Sequence, residues 1–113
     1  MGRYRMRTVV GIRASEPKIQ VESLNESPTI WFDSWRQLAG VLSDENRALL
    51  RTMKEHQPRT VLELSTLSGR APSNLSRTLK TLEGHGLVRL HRSAASRAIR
   101  PEAMSTEFLV VLD

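Results

Sequence analysis

Residues 71–90 read APSNLSRTLKTLEGHGLVRL, and the periodicity of this stretch decides the fold. Leu75, Leu79 and Leu82 recur at the spacing that lines one stripe of a helix turning about 100° per residue, with Thr78 at its edge. Pro72 suits the first turn, where its missing N–H costs nothing. Gly84 and Gly86 end the helix near His85, and LVRLHR continues as a strand. Opposite the leucines lie Ser73, Arg77, Lys80 and Gly84, flanked by Ser76 and Thr81, with no carboxylate before Glu83. Read plainly, this face is solvated surface; read more sharply, it meets an anion.

Upstream, Thr60 and Glu63 form a capping-box pattern at the head of VLELSTLS, a short helix closed by Gly69, and Pro58 breaks the chain just before it. From Trp31 the signal is helical. Trp35, Leu38 and Leu42 recur at helical spacing, and Ser43 N-caps a second helix whose first turn holds Asp44 and Glu45, so two helices are predicted over 34–42 and 44–56. Downstream of LVRLHR come the polar turn SAAS and a second short strand near RAIRP. At the ends, RYRMRTVVGI and TEFLVVLD read as strands. The polar, two-proline stretch RASEPKIQVESLNESPT reads as an arm with a short strand at Ile19 to Val21.

At 113 residues the chain suits one domain with a modest core and short arms. Its +5 formal charge, from 17 Lys and Arg against 12 Asp and Glu, is unevenly placed. Residues 70–100 hold seven basic side chains (Arg70, Arg77, Lys80, Arg89, Arg92, Arg97 and Arg100) against the single acid Glu83, whereas residues 101–113 hold three acids and no base. Arginine forks two donors onto phosphates and guanine edges, so a concentrated arginine field favours an anionic partner.

A short capped helix, a four-residue turn, a second helix and two strands joined by a basic turn follow one another over roughly residues 36–100. In TVLELSTLSGRAPSNLSRTLKTLEGHGLVRL the chain resembles the winged helix-turn-helix transcriptional regulators of bacteria and archaea, the MarR-like and ArsR-like kind above all. The most specific part is the L-x-x-L-E-x-x-G-L-V ending carried by Leu79, Leu82, Glu83, Gly86, Leu87 and Val88. The fold class implied is α+β, a helical core with a two-stranded wing, plus extra N-terminal and C-terminal strands. Residues 1–30 would be an N-terminal strand and arm used in dimerisation, 31–100 the DNA-binding domain and 101–113 a tail strand.

The resemblance implies that helix 72–85 enters the major groove of double-stranded DNA. Ser73, Asn74, Ser76, Arg77 and Lys80 would approach bases and phosphates, with Arg70 and Thr81 beside them. Arg92 and Arg97 would flank the wing tip over the neighbouring backbone. Two positions depart from the pattern. The wing turn SAAS is short and lacks glycine, which limits its reach, and Ser65 replaces a small apolar residue, tolerable if its hydroxyl bonds back to the helix backbone.

One such motif makes few base contacts, so a homodimer reading two half-sites is expected, acting as a repressor. The apolar terminal strands need partners, within the chain or across a two-fold axis; the second is preferred, since an unpaired apolar edge invites aggregation. The rival reading is an antitoxin-like or adaptor module whose toxin-like protein partner adds to the C-terminal tail.

No enzyme is expected. Ser, His and Asp stand in no G-x-S-x-G pattern, no glycine-rich phosphate loop occurs, and His85 and His91 lack the neighbours of a metal site, so no metal and no cofactor is predicted. His56 suits a helix C-terminus. Trp31, Phe32 and Trp35 read as a hydrophobic anchor for the first helix or a dimer contact, more readily than as base-stacking rings. The absence of cysteine fits a reducing cytoplasm, and no apolar run is long enough for a signal core or a membrane span.

Overall fold

In a computed structural model the chain is described over residues 7–13, 29–95 and 97–111. Its elements are β1 (Arg7–Ile12), β2 (Ile30–Phe32), α1 (Trp35–Val41), α2 (Asp44–His56), α3 (Val61–Ser68), α4 (Pro72–Gly84), β3 (Val88–Arg92), β4 (Ile99–Ala103) and β5 (Glu107–Val111). The fold is α+β, with four helices and two small sheets among the described residues. The strand expected at Ile19 to Val21 lies outside the described residues, as does Ser96 of the SAAS turn.

Helix boundaries follow local chemistry. Ser34 caps α1 by accepting from the Gln37 N–H at 3.1 Å, Ser43 caps α2 by accepting from Asn46 at 3.1 Å, and Thr60 caps α3 by accepting from Glu63 at 2.9 Å. The capping box is offset by one residue, because Glu63 Oε1 accepts from the N–H of Arg59, at 2.7 Å, rather than from that of Thr60. Gln57 takes the left-handed conformation (φ 47°) at the end of α2, and buried Pro58 follows. Gly69 does the same for α3 with φ 76°.

The end of α4 is a Schellman motif. The Leu87 N–H donates to Leu82 O at 2.9 Å and that of Gly86 to Glu83 O at 3.0 Å, with Gly86 at φ 79° and both leucines buried. The predicted stripe Leu75, Leu79 and Leu82 is wholly buried, joined by Leu49, Leu50 and Met53 of α2, Leu64 of α3 and Leu87 and Val88 of the following turn and strand.

The tryptophan region corrects the helical reading that begins at Trp31. Ile30–Phe32 is a strand, paired in parallel with β1 through Val10↔Ile30, Gly11↔Trp31 and Ile12↔Phe32. Alternation explains the outcome: Phe32 is fully buried, while Trp31 points to the opposite face, where the Arg13 guanidinium stands 5.9 Å from its ring. Trp35 is 54% exposed at the start of α1, so of the three aromatic residues only Phe32 anchors the core.

The preference for pairing the terminal strands across a two-fold axis is also corrected. β1 lies between β2 and β5 in a parallel three-stranded sheet and pairs with β5 from Arg7↔Glu107 to Gly11↔Val111 within one chain. Val10 is thereby sealed into the core between Ile30 and Val110. β3 and β4 form a separate antiparallel pair from Val88↔Ala103 to Arg92↔Ile99, so this hairpin runs past the expected limit at residue 100 to buried Ala103. Ser105 shapes the turn into β5, its hydroxyl donating to Glu107 O at 2.9 Å.

Candidate nucleic-acid interface

Burying Leu75, Leu79 and Leu82 leaves the rest of α4 no choice of direction. Ser73, Asn74, Ser76, Arg77, Lys80 and Thr81 are all exposed. Among the described residues neither Arg77 nor Lys80 has an acidic partner. Thr81 bonds back along its own helix, Oγ1 donating to Arg77 O at 3.2 Å, which leaves the hydroxyl oxygen free to accept. Two turns of this helix therefore carry exposed donors with no carboxylate until Glu83.

Arg70 stands apart from that set. It is half-buried in the turn between α3 and α4, and its guanidinium points inward to Asn74, Thr78 and Asn46. Ser65 contributes to the same turn: its hydroxyl donates to Arg70 O at 2.6 Å instead of bonding back along α3 as the sequence suggested. The serine is tolerated because the turn supplies an acceptor.

The hairpin separates its residues by face. Val88, Leu90 and Arg92 lie on one face with Ala103, Pro101 and Ile99, and Arg89 and His91 lie on the other with Glu102 and Arg100. The first face packs on the core, so Arg92, at its outer end, turns toward α4, with Nη1 3.9 Å from Glu83 Oε2. Arg97 is exposed beyond the strands.

The outward face of the hairpin carries Arg89 and Arg100, both exposed, which the sequence counted in the basic field without giving them a DNA contact. Period-two alternation along LVRLHR and RAIRPEA is the signal that could have found them. Between them, His91 Nε2 and Glu102 Oε1 are 2.7 Å apart. The hydrogen bond from His91 holds the Glu102 carboxyl below its ordinary value; burial opposes it, and the charges of His91, Arg100 and Arg89 add to the lowering.

Among the described residues no group of three or more His, Asp or Glu side chains is placed to hold a metal ion, and no helix is long and apolar enough to cross a membrane. Residues 41–107, from the end of α1 to the start of β5, match the family model described as HVO_A0114. No curated protein matches the chain significantly.

Proposed function

The chain belongs to the HVO_A0114 family, and we propose that it is a sequence-specific DNA-binding transcriptional regulator of the winged helix-turn-helix kind. In this reading α3, the Gly69–Ala71 turn and α4 form the helix-turn-helix, α4 enters the major groove, and the β3–β4 hairpin is the wing. The protein acts as a homodimeric repressor in the cytoplasm.

The observation that carries the reading is the division of α4. Its leucines are buried, while Ser73, Asn74, Ser76, Arg77, Lys80 and Thr81 are all exposed. A helix presenting cationic and neutral donors in this way suits base edges rich in acceptors and a phosphate backbone. Arg89, Arg97 and Arg100 extend the positive field onto the hairpin.

Selection of bound duplexes from a random pool at physiological salt tests the proposal. An enriched palindromic site supports a dimeric reader. If each dimer neutralises about 6 to 10 phosphates, log affinity should fall with log salt at a slope of roughly −5 to −9. A flat salt response and an unenriched pool would sink it.

A second reading rests on β5. Only β1 pairs with this strand among the described residues, so the other edge of FLVV stays open, and an apolar open edge suits strand addition by another protein. In that case the natively expressed protein runs as a stoichiometric heteromer in light scattering rather than as a homodimer.

A further inference from the structure

Arg70 occupies the turn that leads into α4, where the sequence alone places its basic side chain beside the DNA-facing set. Instead its Nε donates to Asn74 Oδ1 at 2.9 Å, its Nη2 to Thr78 Oγ1 at 2.9 Å and its Nη1 to Asn46 Oδ1 at 3.2 Å. Its backbone is held as well: the N–H donates to Ser68 Oγ at 3.2 Å, and the carbonyl accepts from Ser65 Oγ at 2.6 Å. Asn46 is itself anchored, its N–H capped by Ser43 and its Nδ2 donating to Val41 O at 3.1 Å. A continuous chain of hydrogen bonds thus runs from the end of α1, through the first turn of α2 and the Arg70 fork, to two successive turns of α4.

All the acceptors on this fork are neutral. A planar guanidinium suits the task, because its donors point in fixed directions and each bond to a charged donor is stronger than a neutral one. Lysine at this position would reach the three acceptors with one rotating ammonium and could not hold their relative orientation. With no carboxylate on the fork, the cation also keeps its charge beneath the exposed face of α4.

We infer that Arg70 is a positioning residue, which clamps α4 against the start of α2 and orients the amide of Asn74. The consequence for Asn74 is chemical. Asparagine reads adenine by accepting from N6 and donating to N7 with the two ends of one amide. With one lone pair of Oδ1 taken by Arg70 and that oxygen turned toward the guanidinium, the freer end of the Asn74 amide is its Nδ2, whose donors have no partner among the described residues. Donors alone match guanine, whose major-groove edge carries O6 and N7 acceptors. Asn74 therefore selects guanine over adenine at the base it faces. This assignment rests on the DNA-reading role proposed above; the clamp does not.

The clamp is tested on the free protein by nitrogen-15 NMR. The Arg70 Nε–H should exchange slowly with water, and Thr78→Val, which removes one acceptor at nearly constant volume, should speed that exchange. Fast exchange in the unaltered protein overturns the clamp whatever DNA does. Selection from a random duplex pool then compares the unaltered chain with Arg70→Ala and Thr78→Val. Affinity for the selected site should fall roughly 10-fold in Arg70→Ala, the scale of one lost base contact, with guanine and adenine both accepted at one position of each half-site. The salt slope should be unchanged. A slope shallower by about 0.9 with unchanged base preference makes Arg70 a phosphate contact and overturns the inference. If the unaltered chain enriches no duplex while the Arg70 Nε–H stays protected, the Asn74 assignment falls together with the DNA-reading role and the clamp stands. Should Arg70→Ala fail to fold, Thr78→Val carries both comparisons.

Discussion

Phe32 and His85 stack their rings with centroids 5.1 Å apart and planes inclined by 32°. Phe32 is the last residue of β2 and fully buried; His85 closes α4, its N–H donating to the carbonyls of Leu82 at 3.2 Å and Thr81 at 3.3 Å. The contact ties the parallel sheet to the end of the helix proposed to read DNA. His85→Ala should cost about 0.5–1.5 kcal/mol, the worth of a ring pair beyond its buried area. Urea unfolding measures this as a lower midpoint at unchanged slope, and a midpoint equal to that of the unaltered chain would show the stack to be energetically idle.

The leucine stripe of α4 should dominate stability. Leu79→Ala opens a cavity between α4 and the rest of the core and should cost about 2–5 kcal/mol. Leu62, of similar chemistry but 68% exposed on α3, should tolerate alanine within about 0.5 kcal/mol. Similar losses at both positions in thermal melts would mean that Leu62 is buried in solution by something outside the single chain.

Gly86 separates backbone strain from crowding. A Cβ built there meets only Ile30 Cδ1, at 4.0 Å, an ordinary contact, whereas φ of 79° is unfavourable for an L side chain. Gly86→Ala should therefore cost about 1–2 kcal/mol with no change in packing, and Gly86→Asn less, since asparagine enters the left-handed region more readily. Equal losses for Ala and Asn in urea melts would indicate crowding instead.

The His91–Glu102 pair makes a pH prediction. Because the folded protein holds Glu102 below its ordinary value, the associated stabilisation is present above the unfolded carboxyl value of 4.5 and disappears as pH falls through the depressed folded value. Both side chains are substantially exposed, so the effect should stay under about 1 kcal/mol. His91→Gln should be less stable than the unaltered chain at pH 5.5 and equal to it near the acid limit. Carbon-13 titration of Glu102 should show its midpoint rising in that variant; an unmoved midpoint would assign the shift to Arg89 and Arg100.

For DNA, Arg77→Ala should lose about 1–3 kcal/mol on the selected site and much less on random duplex, as befits a base contact. Arg97→Ala should weaken both alike and make the salt slope shallower by about 1. Filter binding on the two duplexes distinguishes them, and equal losses for Arg77 would reduce it to a phosphate contact.

Much of this architecture was legible in the chain because its causes are local. Ser43, Thr60 and Gly69 place helix ends through hydrogen bonds spanning a few residues, and the Leu75, Leu79, Leu82 spacing dictates which side of α4 is buried and which stays wet. The L-x-x-L-E-x-x-G-L-V run folds as a Schellman turn for the same reason. The tertiary structure alone decided that Trp31 and Phe32 belong to a strand, because what makes them one is a ladder to Val10–Ile12, far away in sequence. It alone joined β1 to β5 from opposite ends of the described chain. It also turned Arg70 inward, since Asn46 lies on another helix and the sequence shows a basic residue's charge without showing which acceptors surround it. Helix termini and faces are set by neighbours a turn away; strand pairing and the direction of a long cationic side chain depend on partners that only the folded chain brings near.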